Sequence, residues 1–138
     1  MKYIIILTIS FLTSPVTADD QHYSDSNVKL FFITPKDGEI LTSPFIAKFG
    51  ITGMSIAPAG IDKPMSGHHH LLIDLDKLPD MNNPIPADKN HLHFGQGQTQ
   101  ASINLPSGKH TLQLLLGNYL HIPHRPPLLS ERIEITVK

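Results

Sequence analysis

Ile133-Glu134-Ile135-Thr136-Val137-Lys138 closes the chain with a strict alternation of apolar and polar residues. That is the period of a β-strand with one face buried and the other in water. The same period recurs upstream. Val28, Leu30 and Phe32 share a face before Thr34-Pro35 and the turn Lys36-Asp37-Gly38. Phe45, Ala47, Phe49 and Ile51 alternate up to Gly53, and Leu71, Ile73 and Leu75 do so in a strand expected over residues 69–76. Ala101, Ile103 and Leu105 run to Pro106-Ser107-Gly108, and Leu112, Leu114 and Leu116 run to Gly117-Asn118. Residues 91–95 form a short further candidate. After residue 18 no stretch keeps a helical apolar repeat for three turns free of proline and glycine. About seven short strands separated by turn signals predict an all-β domain over residues 28–138. The architecture expected is a single immunoglobulin-like antiparallel β-sandwich, with a small jelly roll as the alternative.

Composition narrows the chemistry. The 138 residues fit one domain, and 40% hydrophobic with 17% charged residues suits a compact globular chain. A formal net charge of −1 argues against a nucleic-acid binder driven by phosphate neutralisation. The chain has nine histidines and no cysteine. The absence of cysteine excludes disulfides, thiolate zinc sites, iron–sulfur clusters and cysteine nucleophiles.

Residues 1–18 read as a secretory signal. Lys2 precedes an apolar run from Tyr3 to Leu12, and Pro15-Val16-Thr17-Ala18 supplies small residues at the −3 and −1 positions. The run is shorter than the ~20 residues a membrane-spanning helix needs, so cleavage after Ala18 is expected rather than anchoring. No cysteine follows the cut, so lipoprotein attachment is not expected. Residues 19–27 read as a polar, flexible tail. The expected location is periplasmic or secreted, with no membrane span after cleavage.

Three proline-rich connections are long: residues 54–67, 77–90 and 118–130. Such loops are usually functional or mobile, and proline stiffens them. Most of the histidines border them. His68, His69 and His70 follow the first, His91 and His93 follow the second, and His121 and His124 lie in the third. Alternate strand residues share a face, so His68 pairs with His70 and His91 with His93. Neutral imidazole is a common ligand for copper and zinc. The candidate metal ligands are therefore His68, His70, His91, His93, His121 and His124, with a copper or zinc ion as the expected cofactor. On an immunoglobulin-like path the first and third loops lie at one end, bringing His68 and His70 towards His121 and His124. His91 and His93 join them only if their strand runs towards that end.

Other residues qualify this picture. Asp62, Asp74 and Asp88, or Met54, Met65 and Met81, lie close enough in sequence to assist. Thioether would favour copper(I), and carboxylate would favour zinc or copper(II). The methionines serve equally as packing. His69 shares a face with Leu71 and Ile73 and reads as a packed, hydrogen-bonded core residue. His110 reads as a structural histidine bonded to nearby backbone. His22 would chelate copper at a mature amino terminus only if cleavage fell after Asp19. No phosphate loop, HExxH helix or GxSxG elbow is present. Asp74 and Asp76 read as a solvated strand face rather than an acid–base pair. Enzymatic activity is therefore not the expectation.

Several motifs carry a family resemblance. They are Gly50 to Gly53 leading into Ala57-Pro58-Ala59-Gly60-Ile61-Asp62-Lys63-Pro64, and Gly67-His68-His69-His70-Leu71-Leu72-Ile73-Asp74. Pro84-Ile85-Pro86-Ala87-Asp88, Asn90-His91-Leu92-His93-Phe94-Gly95 and Gly97-Gln98-Thr99 continue the set. Leu105-Pro106, His110 to Gly117, His121-Ile122-Pro123-His124 and Pro126-Pro127 complete it. Over residues 29–138 the chain resembles the bacterial secreted family called domain of unknown function 4399. The resemblance implies a small exported domain and assigns no activity.

Two functions are compatible with these readings. One is an exported β-sandwich that binds copper or zinc through loop-flanking histidines. The other is a non-enzymatic cell-envelope module binding a protein or polysaccharide, its histidines structural or pH-responsive.

Overall fold

A computed structural model describes residues 27–138. The expected signal segment and residues 19–26 of the tail lie outside the described residues. The strands are β1 (Lys29–Thr34), β2 (Ile40–Leu41), β3 (Phe45–Thr52), β4 (Ser55–Ile56), β5 (Ser66–Ile73), β6 (His91–His93), β7 (Gln100–Ile103), β8 (Gly108–Gly117) and β9 (Ile133–Val137). No helix is present among the described residues, and so none is long and apolar enough to cross a membrane.

The strands form two sheets. One has the order β1-β3-β7, and the other runs β2-β9-β8-β5-β4, with β6 also paired to β5. Alternating apolar residues explain why the sheets face each other. Leu30, Phe32, Phe45, Ala47, Phe49 and Ile103 point inward from the first sheet. Leu71, Ile73, Leu112, Leu114, Leu116, Ile133, Ile135 and Val137 meet them from the second. Each fully buried aliphatic side chain in such a layer contributes ~1.5–3 kcal/mol. The all-β sandwich expected from alternation is what the chain forms.

The details depart from expectation in three places. Two-residue strands β2 and β4 raise the number to nine and pair parallel to β9 and β5. They are too short to show any period, so alternation could not find them. The third is β5, which begins at Ser66 and ends at Ile73 instead of spanning 69–76. Asp74 takes φ +53°, which turns the chain out of the sheet. His68, His69 and His70 consequently lie inside a strand rather than at a loop mouth.

Every residue of β5 is buried. Its inner face, with His69, Leu71 and Ile73, belongs to the space between the sheets. Its outer face, with His68, His70 and Leu72, is roofed by the long connections. Ile85 packs there against Leu72 and Leu115, with Leu75, Met81 and Leu129 at the margin. The roof makes the strand's histidine pair an interior feature.

A candidate metal centre on the roofed face of β5

His68 and His70 stand on the same face of β5, as period-2 geometry requires. Their ring centroids are 4.8 Å apart. β6 pairs antiparallel with β5 in the register His70↔His93, which sets the His93 ring beside both, at 5.0 Å from each. His121 arrives from the third long loop. Its ring lies 5.0 Å from that of His68, 4.7 Å from His93 and 6.2 Å from His70. The ligand nitrogens of His68, His70 and His93 all fall within 4.8 Å of one another.

Glycines make room for these rings. A Cβ on Gly117 would stand 2.7 Å from Cε1 of His70 and 3.1 Å from its Nδ1. A Cβ on Gly95 would collide with Cε1 of the His93 ring. Gly117 lies directly across from His68 in the β5–β8 ladder. Neither approach is visible in one segment of sequence, because it depends on cross-strand register.

The polar atoms of the site are unusually placed. Neither ring nitrogen of His68 or His70 has a hydrogen-bond partner, though both residues are 0% exposed. Each such orphaned group ordinarily costs ~1–3 kcal/mol. Burial, reinforced by the neighbouring imidazoles, pushes His68 down to about 4 and His70 to about 3. His93, the exposed member, is also lowered by burial and by His121. These imidazoles are held neutral at pH 7, which is the form that ligates a metal.

The remaining candidates lie elsewhere. His91 shares the face of His93 but sits opposite Leu72, and its Nδ1 donates to Asp88 Oδ1 at 2.8 Å. His124 is buried with its Nε2 unpartnered, and that atom would lie 2.9 Å from a Cβ on Gly67. Gly67 alternates with His68 and His70, so His124 lies towards the other face of β5. His69 faces the core as expected, its ring 5.2 Å from that of Phe49. The hydrogen bond expected for it is missing, because both its ring nitrogens lack a partner. His110 is the structural histidine that the sequence suggested. Its Nε2 donates to the Pro106 carbonyl at 2.8 Å and its Nδ1 to Asp74 Oδ2 at 2.7 Å.

Among the described residues no thioether or carboxylate joins the cluster. Met54 packs against the core and Met81 under the roof, while Met65 is 43% exposed. Asp74 is engaged with His110 and the Thr111 amide, Asp88 with His91, and Asp62 faces solvent. An all-imidazole donor set suits borderline divalent ions such as zinc and copper(II) better than soft copper(I) or hard calcium and magnesium.

Residues 47–138 match the model of a family described as Domain of unknown function (DUF4399). The match begins within β3, leaving β1 and β2 outside it. Neither the curated proteins nor the solved structures contain a match to the chain.

Proposed function

Because the chain belongs to the DUF4399 family, whose description names no activity, we propose a function from the site's own chemistry: binding of a transition-metal ion, zinc or copper. The ion would be held by His68, His70 and His93, with His121 at the remaining side. One observation carries this reading. Two buried imidazoles with four unpartnered ring nitrogens converge with a third on a common point. A metal ion would satisfy one nitrogen of each ring, and the free ion's positive charge is accepted by neutral bases without a proton having to leave at pH 7.

The signal-like pattern of residues 1–18 supports export, and the protein would then meet metal in the periplasm or outside the cell. The absence of cysteine is in keeping with a nitrogen-only site in that setting. The reading of the histidines as a hydrogen-bonded scaffold for a protein or polysaccharide surface draws less support. It requires bonded rings, and His68, His69 and His70 are not bonded.

Calorimetric titration of the purified chain with Zn²⁺ and Cu²⁺ tests the proposal. The expected result is one site per chain, lost when His68 and His70 are both changed to Ala. No binding tighter than millimolar by the wild-type chain would refute it.

A further inference from the structure

We propose that His121 closes the site into a four-imidazole shell, so that the ion is carried as cargo instead of being used to activate water. This rests on the metal-binding reading above and goes a step further, to what the bound ion can do. Catalytic zinc keeps one coordination position open for water or substrate, whereas closed sites fill all four with protein ligands.

The ligand nitrogens that lie within 4.8 Å of one another belong to His68, His70 and His93, and the His121 ring stands beside them in a position that approaches a closed shell. A metal–nitrogen bond of ~2 Å puts each imidazole centre ~3.2 Å from the ion, and the corners of a tetrahedron of that radius lie ~5.2 Å apart. Five of the six centroid separations among His68, His70, His93 and His121 fall between 4.7 and 5.0 Å. The sixth, His70 to His121, is 6.2 Å. That longest edge, about 1 Å beyond the tetrahedral value, belongs to the one ligand carried by a loop. A small rotation of His121 towards the ion closes it.

The loop is built to present this ring. His121 has φ +66°, a left-handed conformation that a non-glycine residue adopts only when its surroundings hold it there. Its N–H donates to the Asn118 carbonyl and its carbonyl accepts from Ile85 N–H, both at 2.9 Å. The Asn118 side-chain oxygen accepts from the Leu120 and Ile122 amides. Asn118 N–H donates in turn to the Ile122 carbonyl at 2.9 Å. Ile85 also forms part of the roof, so the covering of the site and the fourth ring are tied together. His68 and His70 are fixed on a central strand, whereas His93 and His121 lie nearer the surface. Loading and release therefore proceed on the His93–His121 side, by exchange of the loop-borne ligand.

Cobalt(II), a coloured stand-in for zinc, tests this in the full chain. The expected result is the intense visible bands of tetrahedral Co²⁺, unchanged by saturating azide because no position is open to it. In His121→Gly, glycine keeps the left-handed backbone without strain while removing the ring. That variant should bind Co²⁺ with azide-sensitive bands and lose it to a chelator at least about tenfold faster. Azide-sensitive bands in the wild-type chain would overturn the closed shell while leaving metal binding intact. Release from His121→Gly at the wild-type rate would do the same. Failure of the wild-type chain to bind Co²⁺, Zn²⁺ or Cu²⁺ would overturn the metal reading beneath it.

Discussion

Three consecutive histidines, identical in type, have two different situations. His68 and His70 look into the cluster, and His69 looks the other way into the apolar core beside Phe49. Among the described residues, His68 and His70 belong with His93 to the group that could hold an ion, and His69 does not. His69 has no partner for either nitrogen, so its polarity costs stability and brings nothing to the site. Replacing an unsatisfied buried polar group with an apolar one of similar size removes that cost. His69→Leu should therefore stabilise the metal-free protein by about 1–2 kcal/mol, read as a higher denaturant midpoint at unchanged m-value. Its affinity for Zn²⁺ should stay at the wild-type level. A destabilised His69→Leu would show that the ring makes a contact that its geometry does not reveal.

At the scale of elements, β5 and β8 are held in register at one end by a charged clip. Asp74, just past β5, accepts from the Thr111 amide at 2.8 Å and from His110 Nδ1 at 2.7 Å. Because the Pro106 carbonyl can only accept, His110 donates from both nitrogens when it is bonded to both oxygens, and so it is an imidazolium. Burial alone would lower its pKa, but the Asp74 and Pro106 hydrogen bonds and the Asp74 charge outweigh burial and raise it. A raised folded-state value means that the clip contributes fully below the unfolded value near 6.5 and is lost as pH rises through the folded value. Asp74→Asn keeps a residue tolerant of the left-handed backbone, removes the charge and leaves one acceptor oxygen in place of two. It should cost about 1 kcal/mol near pH 6 and markedly less near pH 9, by urea unfolding at both pH values. An equal cost at the two would show that the charge on His110 contributes nothing to the clip.

The whole molecule inherits an acid sensitivity from its buried histidines. His68 and His69 are pushed down to about 4 and His70 to about 3, in each case chiefly by burial. In the unfolded chain the same groups take up protons near 6.5. Between those values the unfolded state binds more protons, so stability rises with pH there. The buried histidines on their own should take no stability from the metal-free protein above about pH 6.5 and should cost it stability steadily as pH falls from there towards about 3. His93 and His124 shift in the same direction and add to the effect. A bound ion acts the opposite way at neutral pH, adding ~2.7 kcal/mol at a free concentration ~100 times Kd. Thermal melts from about pH 7 to about pH 4, with Zn²⁺ and with chelator, should diverge most at neutral pH and converge as protons displace the ion. Curves that coincide at neutral pH would contradict metal binding.

The sandwich was legible because alternation is a local property: Ile133, Ile135 and Val137 announce a buried face within five residues, and the larger strands did the same. Strands of two residues carry no period, and the start of β5 was obscured because its histidines are buried on both faces, a pattern without alternation. Sequence alone determined that His68 and His70 point together and that the third long loop carries further imidazoles. It could not tell His93 from His91, since both share a face; the register His70↔His93 separates them, and register belongs to the pairing of two distant segments. It could not choose between His121 and His124 either. That choice depends on one left-handed residue held by backbone bonds from another loop. Period and composition are fixed along the chain, so they could be read there, whereas the gathering of His68, His70 and His93 is a relation between segments and exists only once they have packed.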